Sequence, residues 1–242
     1  MMNSTTRFGS RARDYAAYRP AYPSEAIDAV LDGLGDPNEI TIADVGAGTG
    51  ISARLFAERG VTVIAIEPNA KMREAADPHP RVRWQVGTGE ETGLADASVD
   101  AIVACQAFHW FATGNAMREF HRVARHRAAI LQYERDERDA FTKAYGDVVR
   151  AFATDDTEAL RRRALAVFES FPNARVTRRG FDHAQRLDRD SMLGRAASSS
   201  YLPTSGRASE ALRADLVAIF ERFERGGSVD LAMTTFVLVA DW

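Results

Sequence analysis

The chain has 242 residues, of which 45% are hydrophobic and 27% charged, and a formal net charge of -3, values typical of one globular domain. No apolar run approaches the roughly 20 residues of a membrane-spanning helix, and the excess of acidic residues with scattered arginines does not imply a nucleic-acid partner. The single cysteine, Cys105, excludes an internal disulfide, and because the N-terminus has no apolar leader we expect a cytoplasmic protein.

Short apolar runs alternate with helical patterns through the first half of the chain. The predicted strands cover residues 40–45, 61–66, 82–86, 99–105 and 128–132. Helices are predicted after the first strand (with Ile51, Leu55 and Phe56 on one face), over residues 69–76, and before the fifth strand (with Met117, Phe120 and Val123). Strands that alternate with helices at this spacing indicate parallel βαβ units, so we predict an α/β fold with a doubly wound sheet.

The pattern changes after residue 133. Residues 134–170 are predicted to be helical, with aromatic and apolar residues near helical spacing, and strand-like segments return at 176–184 and 232–240. Between these two segments an amphipathic helix carries Leu212, Leu216 and Phe220 and ends at Gly226. We expect one domain over residues 1–242, with segments 1–23 and 134–174 forming a helical cap at the carboxyl ends of the strands, where open α/β sheets bind ligands.

A glycine-rich turn follows the first predicted strand. Asp44, Gly46, Gly48 and Gly50 stand at alternate positions at a strand-to-helix junction. Glycines there allow a tight turn and let a ligand approach the backbone without meeting a Cβ atom. Asp44 is expected to orient this turn or the amino group of a ligand.

An acidic residue at the end of the second predicted strand indicates which kind of ligand the glycine turn binds. Glu67 lies where this fold places a carboxylate that accepts hydrogen bonds from ribose hydroxyls, which indicates an adenosine ligand. Ile51 occupies the position at which a dinucleotide fingerprint has its third glycine, and the chain has no phosphate-binding Gly-Lys-Ser/Thr. An NAD-type oxidoreductase and a non-catalytic Rossmann-like binding protein stay open as alternatives.

Several motifs together resemble class I S-adenosylmethionine-dependent methyltransferases. The turn Asp44-x-Gly46-x-Gly48-x-Gly50 is similar to the first motif of that family, and the other matching segments follow in the same order. They are Glu67-Pro-Asn-Ala-Lys-Met72, the stretch from Gly87 to Asp100, and Ala107-Phe-His-Trp-Phe111. Residues 15–23, with fainter agreement at 198–203, resemble the small-molecule subgroup, which is trans-aconitate methyltransferase-like (methyltransferase type 11).

This resemblance implies a Rossmann-like, mostly parallel seven-stranded sheet with an antiparallel last strand, and S-adenosylmethionine as the cofactor. The residues expected to bind the cofactor are Asp44, Gly46, Gly48, Gly50, Glu67, Met72, Thr88, Gly89, Gln106, Tyr15 and Arg19. Two positions near the expected cofactor depart from the family pattern: Gly89 replaces the usual alanine, and Thr88 stands where an acid often holds the adenine amine. Residues 125–127 also depart, where the family commonly has Pro-Gly-Gly, but that turn is expected to lie far from the ligand.

The expected reaction is methyl transfer to a small organic acceptor, at an oxygen such as that of a carboxylate. His109, Trp110, Tyr18 and Tyr201 are expected to contact the acceptor, because they fall in segments that should border the methyl group. A carboxylate acceptor is already anionic and needs no base, so no catalytic residue is assigned, although His109 is the nearest base for a phenol or an amine. The histidines and acids show no metal-ligand spacing, so no metal is expected. The oligomeric state is left open.

Overall fold

A seven-stranded sheet forms the centre of the computed structural model, which describes residues 18–242. Its strands are β1 (Thr41–Val45), β2 (Thr62–Ile66), β3 (Val82–Gln85), β4 (Val99–Cys105), β5 (Ala124–Arg135), β6 (Arg175–Leu187) and β7 (Val229–Asp241). Their order across the sheet is β3-β2-β1-β4-β5-β7-β6, with parallel pairing from β3 to β5 and antiparallel pairing of β7 with both of its neighbours. The prediction of a doubly wound, mostly parallel sheet with an antiparallel last strand is confirmed.

Helices cover both faces of this sheet. They are α1 (Ser24–Leu31), α2 (Ile51–Ala57), α3 (Ala70–Glu74), α4 (Gly114–Val123), α5 (Ala140–Phe152), α6 (Thr157–Glu169), α7 (Arg189–Ala197) and α8 (Gly206–Phe223), with a 3-10 turn at Phe108–Trp110. Successive strand residues point to opposite faces, so Ile42 packs under α1 and α2 while Ala43 packs under α4 and α6. Burial on both faces explains why the central strands β1, β2 and β4 are largely apolar runs. Within residues 18–242 no helix is long and apolar enough to cross a bilayer.

A third apolar cluster lies at the carboxyl edge of the sheet. It joins α5, α7 and α8 to the start of β7 and the end of β6, with Met192, Leu216 and Leu231 fully buried. On the neighbouring part of the edge, α6 packs on the 3-10 turn, where Phe168 meets Phe108 edge-to-face at 5.5 Å between ring centroids. Helices therefore stand over the carboxyl ends of β4 and β5.

The structure differs from the predicted elements mainly in the second half of the chain. β5 continues to Arg135 because its polar end pairs with residues 233–236 of β7, so residues 134 and 135 are strand and not helix. The helical region is divided into two, and α6 begins where the side chain of Asp156 accepts a hydrogen bond from the Ala159 amide at 2.9 Å. The helices α1 and α7 were not predicted.

Candidate active site

A cavity of about 280 Å³ lies at the carboxyl ends of the parallel strands. Its walls come from the turn after β1, the residues after β2 and β3, the end of β4 with the 3-10 turn, and the segment before α1. The lining residues include Arg19, Tyr22, Gly46, Gly48, Glu67, Met72, Thr88, Gly89, Cys105, Gln106, Trp110, Phe111 and Tyr133. The topology thus brings together most of the residues that the sequence predicted for a cofactor, and we call this space the main cavity.

The glycine turn is shaped by positive φ angles at Gly46, Gly48 and Gly50 (70°, 60° and 79°). A Cβ atom on Gly46 would lie 2.6 Å from the Cβ of Ala107, so close packing alone requires glycine there. A Cβ atom on Gly48 would lie 3.2 Å from the terminal methyl carbon of Met72. Glycine at position 48 therefore lets the Met72 side chain lie against the turn. Gly50 lies outside the cavity lining.

Glu67 presents a nearly buried carboxylate to the main cavity. Its two oxygens accept hydrogen bonds from the amides of Gly48 at 3.0 Å and Asn69 at 2.8 Å. Burial raises the pKa of Glu67, although these two amides oppose the shift. Because each carboxylate oxygen has two acceptor sites, both oxygens retain capacity for a ligand's hydroxyl groups.

Asp44 lies behind the glycine turn and does not line the main cavity. Its side chain is completely buried, with one oxygen accepting from the Ser52 hydroxyl at 2.6 Å and the other, Oδ1, without a hydrogen-bond partner. Burial raises the pKa of Asp44 to about 7, and the nearby charge of Glu67 adds to the rise. In this position Asp44 holds the start of α2 against the end of β1.

Gln106 follows β4 in a strained backbone conformation, with a φ of 54° that is uncommon for a residue with a side chain. Its side-chain Nε2 donates a hydrogen bond to the backbone carbonyl oxygen of Tyr133 at 3.2 Å, whereas its buried Oε1 has no hydrogen-bond partner. Gln106 lines the main cavity. Strain combined with an unused acceptor is frequent where a fold holds a residue for a ligand.

The segment after β3 forms the rim of the main cavity. Thr88 is exposed, and its hydroxyl accepts a hydrogen bond from the Glu91 amide at 3.1 Å. A Cβ atom on Gly89 would lie 2.2 Å from the ring of Phe111. The glycine that departs from the family pattern at position 89 therefore matches the close approach of Phe111.

The 3-10 turn places His109 and Trp110 in different surroundings. Trp110 lines the main cavity, whereas His109 is buried and lines neither cavity; their ring centroids are 4.6 Å apart. Neither ring nitrogen of His109 has a hydrogen-bond partner. Burial holds the pKa of His109 well below its usual value, and the charges of Arg161 and Arg19 lower it further, so this imidazole is neutral at pH 7.

A second cavity of about 130 Å³ adjoins the main one and shares two of its lining residues, Arg19 and Tyr133. Its remaining walls are formed by β5, α5, α6 and α7 with the residues after it. They are Glu134, Arg135, Glu137, Tyr145, Glu158, Arg161, Arg162, Arg195, Ser199 and Tyr201. Tyr201, predicted to contact an acceptor, thus lies in this second cavity and not in the main one.

Some predicted site residues lie elsewhere. Tyr15 is outside the described residues, and Tyr18 packs its ring on Gly194 of α7 without lining either cavity. Conversely, Tyr133 and Arg195 line cavities but carried no motif in the sequence. Tyr133 near the carboxyl end of β5 could have been found from the rule that strand ends border the ligand. Residues 18–242 contain no cluster of metal-ligand side chains.

Comparison with known proteins agrees with this arrangement. A family model described as a methyltransferase domain matches residues 43–131, which run from β1 to β5. A protein of Mycobacterium tuberculosis H37Rv, named an uncharacterized methyltransferase, is 33% identical over 201 residues, which are 82% of this chain and 78% of that relative. A methyltransferase-like protein of Schizosaccharomyces pombe is 34% identical over 118 residues, 48% of this chain and 46% of its own length.

Solved structures share the fold. A crystal structure from Anabaena variabilis, provisionally assigned as a methyltransferase of an antibiotic biosynthesis pathway, superimposes with a TM-score of 0.67. It is 22% identical, and the match covers 93% of this chain and 98% of that one. The YcgJ protein of Bacillus subtilis has a TM-score of 0.57 at 18% identity, over 90% and 98% of the two chains. At these identities the likeness establishes the architecture alone.

Proposed function

The chain belongs to the class I S-adenosylmethionine-dependent methyltransferases, and we propose that it transfers the methyl group to an oxygen atom of a small organic acceptor. Membership of this family sets aside the NAD-type oxidoreductase and the non-catalytic binding protein. The observation that carries the proposal is the main cavity, in which the glycine turn, Glu67 and the aromatic 3-10 turn meet at one edge of the sheet.

The residues of the main cavity fit S-adenosylmethionine. Glu67 would accept hydrogen bonds from the ribose hydroxyls, and Met72, which lines the same cavity, would pack against the adenine ring. The unpartnered Oε1 of Gln106 would accept a hydrogen bond from the amino group of the methionine portion. We propose that Asp44 acts through the glycine turn, since its carboxylate does not reach the cavity.

The bound cofactor supplies a methyl group on a positively charged sulfur, which is already activated for attack. A lone pair of the acceptor oxygen forms the new C–O bond while the S–C bond breaks and its electron pair stays on sulfur. The protein therefore has to align the acceptor and exclude water, with contributions from Trp110 and Phe111 on the cavity wall. A carboxylate acceptor loses no proton in this step, so the buried, neutral His109 is not required as a base.

A small acceptor is favoured by the way the site is covered. The helices α5, α6 and α7 and Tyr201 stand over the part of the edge next to the main cavity, and we propose that α5 and α6 form the cap over the acceptor. Aromatic walls with a few polar tips suit a small organic molecule. A nucleic acid or protein acceptor would instead need an open, charged surface beside the methyl group.

The test is methyl transfer from labelled S-adenosylmethionine to separate pools of small organic acids, phenols, RNA and protein extract. We expect label in the small-acid pool and a methyl ester as the product. Label found in RNA or protein, with none in small molecules, would overturn the acceptor class. A Trp110→Ala variant should lose more methyl transfer than affinity for S-adenosylhomocysteine, whereas a Trp242→Ala variant, changed far from the cavity, serves as the matched control.

A further inference from the structure

The second cavity is lined by an unusual concentration of arginine and tyrosine. Arg19, Arg161 and Arg195 reach it from three separate segments of the chain, and the side chains of Tyr133, Tyr145 and Tyr201 line it as well. None of these residues except Arg19 and Tyr201 was predicted as part of a site. Five arginines and three glutamates line this space in total, which leaves an excess of positive charge.

Among these charges, that of Arg195 has the largest cost of burial. Its side chain on α7 is buried, yet within residues 18–242 no carboxylate lies within ion-pair distance of it. Its guanidinium donates to the side-chain oxygen of Gln185 at 2.5 Å and to the sulfur of Met233 at 3.4 Å, and it stands 5.7 Å from the ring centroid of Tyr133. A buried charge with only neutral partners is strongly unfavourable unless an opposite charge joins it.

The glutamates of the second cavity do not neutralise this charge. Glu158 pairs with Arg135, and Glu137 pairs with Arg150 at 2.5 Å as well as lying 3.5 Å from Arg135. The carboxylates of Glu137 and Glu158 are thus already paired with arginines other than Arg195. Glu134 accepts a hydrogen bond from Gln132 at 3.1 Å and is the remaining acid, against the positive charges of the other four arginines that line the cavity.

The buried hydroxyl group of Tyr201 reports the same positive environment. Burial opposes ionisation of Tyr201, yet the charges of Arg161, Arg19 and Arg135 outweigh it and lower its pKa. The Nε of Arg161 is buried without a hydrogen-bond partner. Guanidinium and phenol donors on these walls therefore outnumber the carboxylate acceptors.

We propose that the second cavity binds an anionic oxygen group of the methyl acceptor, a carboxylate or a phosphate, with Arg195 and Arg161 as its charge partners. This inference rests on the proposed function, because it names the class of acceptor that the main cavity methylates. Arg19 lines both cavities and links them, so an acceptor anchored in the second cavity extends its other end toward the main one. The acceptor is accordingly a small molecule with an anionic group separate from the oxygen that receives the methyl group.

The test titrates small anions onto protein already saturated with S-adenosylhomocysteine, so that the cofactor's own carboxylate cannot be the anion detected. The probes are glutarate, its neutral counterpart glutaramide, and inorganic phosphate, all at constant ionic strength. We expect glutarate or phosphate to raise the melting temperature by roughly 3 °C at a concentration about tenfold above its dissociation constant. Glutaramide should have no effect. A larger response to glutarate assigns a carboxylate, and a larger response to phosphate assigns a phosphate.

Matched variants on one helix decide whether the second cavity is the binding site. Arg161→Gln should weaken anion binding at least fivefold, whereas Arg163→Gln, changed at an exposed position two residues away, should leave it unchanged. Arg195→Met should also abolish the response without lowering the melting temperature of the ligand-free protein, because it removes a buried charge and keeps an apolar stem. A purely structural arginine would instead lower that temperature.

Two results would overturn the inference: no stabilisation of the wild-type protein by any anion, or equal stabilisation of the wild type and both arginine variants. The titration is repeated without S-adenosylhomocysteine, so the second cavity is tested whether or not that ligand binds. Failure to bind S-adenosylhomocysteine contradicts the proposed function alone.

Discussion

Two carboxylates 23 residues apart in the chain take different roles because their surroundings differ. Glu67 faces the main cavity with two amide donors on its oxygens, while Asp44 is sealed behind the glycine turn with a single hydroxyl donor. The sequence predicted both as cofactor residues because both stand at strand ends. It could not separate them, since solvent access depends on how Ser52 and the start of α2 close over Asp44.

The buried charge of Asp44 predicts a pH-dependent stability. The pKa of Asp44 is about 7 in the folded protein and about 4 when unfolded, so the folded state holds its proton more tightly. Its stabilising effect is complete below pH 4 and is lost as the pH rises through 7. We therefore expect Asp44→Asn to gain stability relative to the wild type between pH 5 and pH 8.5, by on the order of a few kcal/mol. Urea unfolding at both pH values measures this, with the exposed Asp215→Asn as control, and a difference that does not change with pH contradicts it.

Cofactor affinity is predicted to depend on Glu67 and on the glycine at position 48. Glu67→Ala should weaken binding of S-adenosylhomocysteine by about 1.5–3 kcal/mol, the scale of hydrogen bonds to a charged group. Gly48→Val should be worse, because a branched side chain at positive φ is strained and would press on Met72, which lines the main cavity. Calorimetric titration checks both, with the exposed Glu74→Ala as the matched control. Tight binding by Gly48→Val would show that the cofactor does not depend on the conformation of this turn.

At the scale of elements, the central parallel strands β1, β2 and β4 were predictable because burial on both faces makes them largely apolar runs. The end of β5 was not, since its stability comes from pairing with β7 and not from an apolar pattern. For the same reason the second cavity had no signature in the sequence. Its arginines lie before α1, at the end of β5, on α6 and on α7, and only the packing of these segments brings Arg161 and Arg195 together.

The packing of Tyr18 on α7 leads to a prediction about the segment before α1. Gly194 lies within α7, and a Cβ atom there would stand 2.4 Å from the ring of Tyr18. Alanine favours a helix by about 1 kcal/mol over glycine, so Gly194→Ala should leave α7 intact but displace Tyr18 and, with it, the adjoining Arg19. We expect methyl transfer to fall while the melting temperature changes little. Adding Tyr18→Ala should restore part of the activity, and a double variant no better than Gly194→Ala would contradict this packing argument.

At the scale of the molecule, the arrangement of apolar clusters supports a single domain with a cap rather than two domains. β7 contributes to all three clusters, with Leu231 in the one that holds α5, α7 and α8, and Val237 and Leu238 on opposite faces of the sheet. The same strand therefore links the cap helices to the sheet through backbone pairing as well as side-chain packing. We propose that residues 18–242 unfold as one cooperative unit.

Calorimetry of a variant in the third cluster, where α5 of the cap packs with α8, tests this cooperativity. Leu216 on α8 is fully buried in the third cluster, and Leu216→Ala should cost about 2–5 kcal/mol through lost burial and a residual cavity. If the cap and the sheet form one unit, the variant shows a single heat-absorption peak at a lower temperature, and S-adenosylhomocysteine raises that peak as in the wild type. Arg213→Ala, at an exposed position of the same helix, should leave the peak unmoved. Two peaks, of which the ligand shifts one and Leu216→Ala the other, would show that the cap helices are an independent domain.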